Sequence, residues 1–130
     1  MDVQLATRTR SVQLPATAEA PAAIRAFLRA ALASTAPDAT PLVQLLTTEL
    51  VSNVVRHAES PMTVRLVPQD SAVRVEVDDD SGAPPVLLDP GPYAENGRGL
   101  VLVESLSREW GWTAREHGKT VWFVVGLERA

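Results

Sequence analysis

Three short stretches carry the side chains best suited to chemistry. Glu49, Asn53 and His57 recur at four-residue spacing. On a helix, that spacing sets a carboxylate, an amide and an imidazole one turn apart along one edge, with Arg56 beside them. A Glu or Asn oxygen is a hard donor suited to Mg2+, which takes one or two protein oxygens and completes its shell with phosphate and water. Most amphipathic helices also carry a solvated polar face, and periodicity alone favours that simpler reading.

The second stretch is Asp78-Asp79-Asp80-Ser81-Gly82, delivered by the alternating valines Val73, Val75 and Val77. Adjacent carboxylates repel one another and belong in water or beside a cation; taken alone, a solvated turn with an Asx motif explains them. A buried, ionised Asp accepts hydrogen bonds and donates none. It would select a ring bearing an exocyclic amino group, such as adenine. The small residues Ser81, Gly82 and Ala83 would let a flat base approach the backbone. The third stretch is Gly97-Arg98-Gly99-Leu100. Free N–H groups and the dipole at a helix start favour an anion such as a polyphosphate, and the Arg98 guanidinium adds a bidentate phosphate contact. A lone Gly-x-Gly is equally at home in a linker, and neither a Walker-type loop nor a dinucleotide fingerprint is present.

These groups need a scaffold to bring them together. The chain has 130 residues, 45% apolar and 22% charged, enough for one domain with a proper core, taken as residues 1–130. A formal charge of −4 argues against a nucleic-acid partner, which needs a basic field. The absence of cysteine excludes a disulfide framework and thiolate chemistry, and a reducing cytoplasm is the compatible location. The first residues lack a long apolar run, and Arg25 and Arg29 interrupt the most apolar helical stretch, so neither signal peptide nor membrane span is expected.

Alternation marks extended chain between Val3 and Leu14, strands over Met62–Val67 and Ala72–Val77 joined by a hairpin at 68–71, and two closing strands near Trp110–Glu116 and Lys119–Leu127. Helices are expected over Ala20–Ser34, Pro41–His57 and Leu100–Ser107, with Thr40 capping the second ahead of Pro41. Four prolines make Ala83–Asn96 a loop. The sum is an α+β two-layer sandwich: a mostly antiparallel mixed sheet covered on one face by about three helices.

Four ordered motifs, LLTTELVSNVVRHA (45–58), VEVDDDSGAPP (75–85), NGRGLVLVESLSREWGW (96–112) and GKTVWFVV (118–125), together resemble the GHKL superfamily of histidine-kinase-like ATPases. Within it they look most like the small bacterial anti-sigma-factor serine/threonine kinases. The resemblance implies the Bergerat-type fold, ATP and Mg2+ as ligands, and a role for each matching residue. Asn53 would coordinate Mg2+, and Glu49 would act as general base on the attacking hydroxyl. Asp79, with Gly82 nearby, would accept the adenine amino group. Gly97, Arg98, Gly99 and Leu100 would frame the phosphates, and Thr120 would support the adenine pocket. Arg56 and His57 would serve packing or the phosphate side.

Two features depart from the family pattern. The Asp-x-Gly-x-Gly turn reads Asp79-Asp80-Ser81-Gly82-Ala83, which leaves Asp78 and Asp80 open as alternatives to Asp79. The loop 83–96 lacks a basic, threonine-rich lid, and phosphoryl transfer depends on the positioning such a lid provides. The implied function is therefore an Mg·ATP-dependent kinase that binds a sigma factor and phosphorylates an anti-sigma-factor antagonist on serine. The alternative is an ATP-binding anti-sigma or adaptor module with little or no transfer. The catalytic half of a histidine kinase ranks lower, because no helical segment with a phosphoacceptor histidine precedes the domain. Family members often dimerise, so a homodimer is a further expectation. Trp110, Trp112 and Trp122 read as core or sheet-face packing, and Lys119 as a solvated hairpin residue within reach of a phosphate.

Overall fold

The computed structural model describes residues 8–85 and 99–127. Five strands form one sheet in the order β1-β2-β3-β5-β4: β1 (Arg10–Leu14), β2 (Met62–Gln69), β3 (Ala72–Asp79), β4 (Glu109–Arg115) and β5 (Gly118–Gly126). Every neighbouring pair is antiparallel. Helices α1 (Ala20–Leu32), α2 (Thr40–Asn53) and α3 (Gly99–Leu106) complete the described elements, and α2 continues into a π-helical turn at Val54–Ala58. The two-layer α+β architecture expected from the sequence is the one observed.

Strand parity builds the core. Val64 and Leu66 of β2, Val73, Val75 and Val77 of β3, and Val121, Phe123 and Val125 of β5 are all buried and share one sheet face. Ile24, Leu28 and Leu32 of α1 and Val43, Leu46 and Leu50 of α2 recur at helical spacing and join the same cluster. Each such side chain withdrawn from water contributes roughly 1.5–3 kcal/mol before conformational entropy is set against it. The opposite sheet face is polar and half-buried, carrying Arg65, Arg74, Glu76 and Asp78.

Local signals explain most boundaries. Pro68 does not end β2, because β1 pairs only as far as Leu66 and the missing N–H at Pro68 faces no partner strand. The hairpin turn therefore tightens to Asp70-Ser71, with Ser71 at φ 54°. Thr40 is not the cap expected of it: Ala39 occupies that position, and the Thr40 hydroxyl donates back to the Ala36 carbonyl at 2.9 Å. Trp110 packs against the core, whereas Trp112 is 40% exposed. Trp122 lies under the Arg74 guanidinium, 4.1 Å from the ring centroid, a cation–π arrangement. Its ring occupies the space above Gly111, where a Cβ would stand 2.7 Å from it. Among the described residues, no helix is long and apolar enough to cross a membrane.

Candidate functional site

The amide and the carboxylate singled out in the sequence meet in one cleft. It encloses about 510 Å³ of space, part of it open to solvent, between the C-terminal end of α2 and the ends of β3 and β5. Asn53 and His57 line it from the helix side, Asp79 and Lys119 from the strands, and Ser81 and Ala83 from the loop after β3. Leu50, Val77 and Val121 supply apolar wall. A concave, largely apolar pocket with a few convergent polar groups suits a small organic ligand.

The helix side is shaped by its last turn. Glu59 N–H reaches the Val54 carbonyl at 2.8 Å, one residue beyond the α-helical partner, and Glu59 then adopts a left-handed conformation at φ 51°. Such π-turns recur at functional sites because they redirect side chains locally. The Asn53 Oδ1 accepts a hydrogen bond from Arg56 Nη2 at 2.8 Å, which fixes the amide with its oxygen toward the guanidinium. Glu49 lies one turn earlier on α2, half-buried, and is not among the described residues lining the cleft.

Parity on β3 separates the three aspartates. Asp79 shares the inward face with Val77 and is 2% exposed. Asp80 is exposed. Asp78 points to the polar face, where Arg65 binds it at 2.6 and 2.8 Å and the Thr120 hydroxyl donates to it at 2.6 Å. Arg65 also donates to Glu76 at 2.8 Å, and Glu76 accepts from Arg74 at 2.8 Å. Burial pushes the Asp78 and Glu76 carboxyls up. Their hydrogen bonds outweigh it and hold both below the usual carboxylate range: to Arg65 and Thr120 for Asp78, and to Arg65 and Arg74 for Glu76. Arg65 is held above its ordinary value, mainly by its bond to Asp78 and against the opposing effect of burial.

Asp79 is the aspartate that enters the cleft, and its surroundings are specific. Its Oδ1 accepts from Ser81 N–H at 2.8 Å, the Asx turn expected there, and Ser81 Oγ accepts in turn from Ala83 N–H at 3.2 Å. The Asp79 carbonyl accepts from Arg115 at 2.9 Å. Gly118 passes so close to that carbonyl that a Cβ would stand 1.9 Å from it, with φ at 153°. Only glycine fits that approach. The neighbouring Asp80 N–H donates to the buried Ser60 hydroxyl at 3.0 Å.

Lys119 corrects the reading of a solvated hairpin residue. It is 6% exposed, and its ammonium lies 3.0 Å from Asp79 Oδ2 and 3.1 Å from Oδ1. The signal was in the sequence: Lys119, Val121, Phe123 and Val125 share parity, so period-two alternation turns the lysine inward with the core. The same parity turns Thr120 outward. Thr120, expected to support the adenine pocket, is instead on the far sheet face against Asp78, because one residue's shift along a strand reverses the side chain. Leu100 is fully buried in the core rather than in the cleft, and Gly82 is exposed beside the lining residues Ser81 and Ala83. Gly99 begins α3. Gly97, Arg98 and most of the proline-rich loop lie outside the described residues.

The residues present suit the ligands the resemblance implies. Among the described residues, no cluster of three or more His, Cys, Asp or Glu side chains forms a metal site. A cation held mainly by phosphate and water, with one side-chain oxygen such as Asn53 Oδ1, requires no such cluster. The cleft opens onto apolar wall at Val77 and Val121 and a buried carboxylate at Asp79, which fits a flat heterocycle bearing an amino group.

Comparison with known proteins agrees with this fold. No curated protein sequence matches the chain. A solved structure containing the RsbU and RsbW domains of Rv1364c from Mycobacterium tuberculosis superposes with a TM-score of 0.72 at 23% identity, covering 95% of this chain and 34% of that one. The histidine kinase domain of the Erythrobacter litoralis EL346 blue-light activated histidine kinase superposes with a TM-score of 0.53 at 20% identity, covering 88% of this chain and 62% of that one. The chain thus spans about a third of the first protein and three fifths of the second, and at these identities the likeness is one of fold. The sequence profile described as the histidine kinase-like ATPase domain matches residues 14–125. With that match over most of its length, the chain belongs to the histidine kinase-like ATPase domain family.

Proposed function

We propose that this domain binds Mg·ATP in the cleft between α2 and β3 and acts as an anti-sigma-factor serine/threonine kinase. In this reading it holds a sigma factor and phosphorylates a small antagonist protein. The observation that carries the reading is the convergence of Asn53 and Asp79, distant in sequence and on different layers, on one hollow. In that arrangement Asp79 accepts the purine amino group, and Ser81 and Ala83 leave the base a close path to the backbone. Asn53 offers its oxygen to the cation, and a bound cation would neutralise charge on the triphosphate. Glu49, one helical turn away, takes the proton from the attacking serine hydroxyl. The sequence resemblance to anti-sigma-factor kinases supports the partner class, and the fold likeness to a structure that includes an RsbW domain is consistent with it.

A second reading is favoured by one observation: Glu49 is not among the described residues lining the cleft. The domain would then be an ATP-binding anti-sigma or adaptor module with little or no transfer. ATP radiolabelled at the γ-phosphate, mixed with a cognate antagonist, separates the two. Label on the antagonist that disappears in Glu49→Ala supports the kinase; tight nucleotide binding with no label supports the module. Titration calorimetry with ATP, with and without Mg2+, tests the shared premise. Asn53→Ala should abolish the Mg-dependent part of the affinity, and an unchanged affinity would refute the metal role.

A further inference from the structure

We propose that Lys119 is a built-in competitor for the carboxylate of Asp79, and that it sets the cleft's affinity for a 6-aminopurine nucleotide. The inference rests on the nucleotide reading above and deepens it. An ionised carboxylate offers about four lone-pair sites. At Asp79, Ser81 N–H takes one at 2.8 Å, and the Lys119 ammonium bridges both oxygens at 3.0 and 3.1 Å. Asp79 and Lys119 are both buried, so bulk water does not weaken their attraction as it would at the surface.

The carboxylate has little freedom to turn away. Its own backbone carbonyl is bonded by Arg115 and pressed by Gly118, and its Oδ1 is tied into the Asx turn. Three of the roughly four lone-pair sites are thus filled, so an entering amino group must share Oδ2 with the ammonium or displace it. A neutral amino donor is the weaker competitor, because it lacks the full positive charge that draws the ammonium to the carboxylate. The contest subtracts from nucleotide affinity. A side chain that fills the same volume without donating would return the lone pairs to the base.

The test is titration calorimetry of Mg·ATP with the wild-type domain, Lys119→Met and Lys119→Arg. The Met variant should bind about tenfold more tightly, the equivalent of one net hydrogen bond of ~1.4 kcal/mol. The Arg variant, whose guanidinium grips a carboxylate bidentately, should bind more weakly than wild type. Purine riboside triphosphate, which lacks the 6-amino group, should bind wild type and Met variant alike. A purely structural lysine predicts lost affinity in both variants, for both nucleotides. Equal or weaker ATP binding by the Met variant overturns the proposal. If wild type binds ATP and Lys119→Met leaves the affinity unchanged, only the competitor idea falls; if neither binds ATP, the nucleotide reading falls with it. Should circular dichroism show the Met variant unfolded, Lys119→Gln, neutral and of similar reach, decides in its place. Tighter binding sustains the proposal, and equal or weaker binding overturns it.

Discussion

Replacing Asp79 with Asn, Lys119 with Met, and then both together should expose a large energetic coupling in the unliganded fold. The ammonium and carboxylate are 3.0 Å apart at closest approach. At an effective dielectric of about 20 their gross attraction is on the order of 5 kcal/mol. Much of that offsets the desolvation of two side chains exposed by only 8% and 2%. Removing one partner leaves the other buried and uncompensated, so each single variant should lose about 3–5 kcal/mol of stability. For a chain of this size, the smaller loss lowers Tm by about 10 °C. In the double variant the amide introduced by Asp79→Asn would still accept from Ser81 N–H and no charge would remain, so it should lie within ~1–2 kcal/mol of wild type. Urea unfolding of the four proteins at pH 7, in low and high salt, measures the cycle. Because the pair is buried, added salt should change the coupling little. Single losses below ~1 kcal/mol, or losses that simply add in the double variant, would show that these groups do not act as a buried ion pair.

The polar sheet face and the Gly118 contact offer further tests. Asp78 and Glu76 have carboxyls held below their ordinary range, so their contribution is present above the usual carboxylate values of ~4 and fades as pH falls through the depressed ones. Arg65→Met should therefore cost roughly 1–3 kcal/mol at pH 7 and much less near pH 2; an equal loss at both pH values in urea titrations would contradict the pairing. Gly118→Ala should cost about 2 kcal/mol or more, since its Cβ would stand 1.9 Å from the Asp79 carbonyl. A calorimetric Tm within a degree or so of wild type would mean the strand shifts freely there.

Period and residue type by themselves determined much of this protein. The four-residue spacing of Leu46, Leu50 and Val54 is the pattern of a helix stripe, and all three are buried. The alternation of Val73, Val75 and Val77 marked a strand that delivers aspartates at its end. Both patterns survive folding because burial selects one face of a helix or strand, and that selection is written directly in the spacing. The order of motifs sufficed for the family. The occupancy of the cleft was a different matter. Parity with Val73, Val75 and Val77 turns Asp79 inward, but which residue it meets there depends on the register of β3 against β5, which sets Asp79 opposite Lys119. Alternation along β5 likewise turns Lys119 inward and Thr120 outward, but only the pairing of β5 with β3 brings the lysine to a carboxylate forty positions earlier in the chain. Charge pairing of that kind is set by distance in space, which composition and local periodicity do not encode. Only the folded sheet, with Gly118 pressed against the Asp79 carbonyl, decided that the two side chains would face each other.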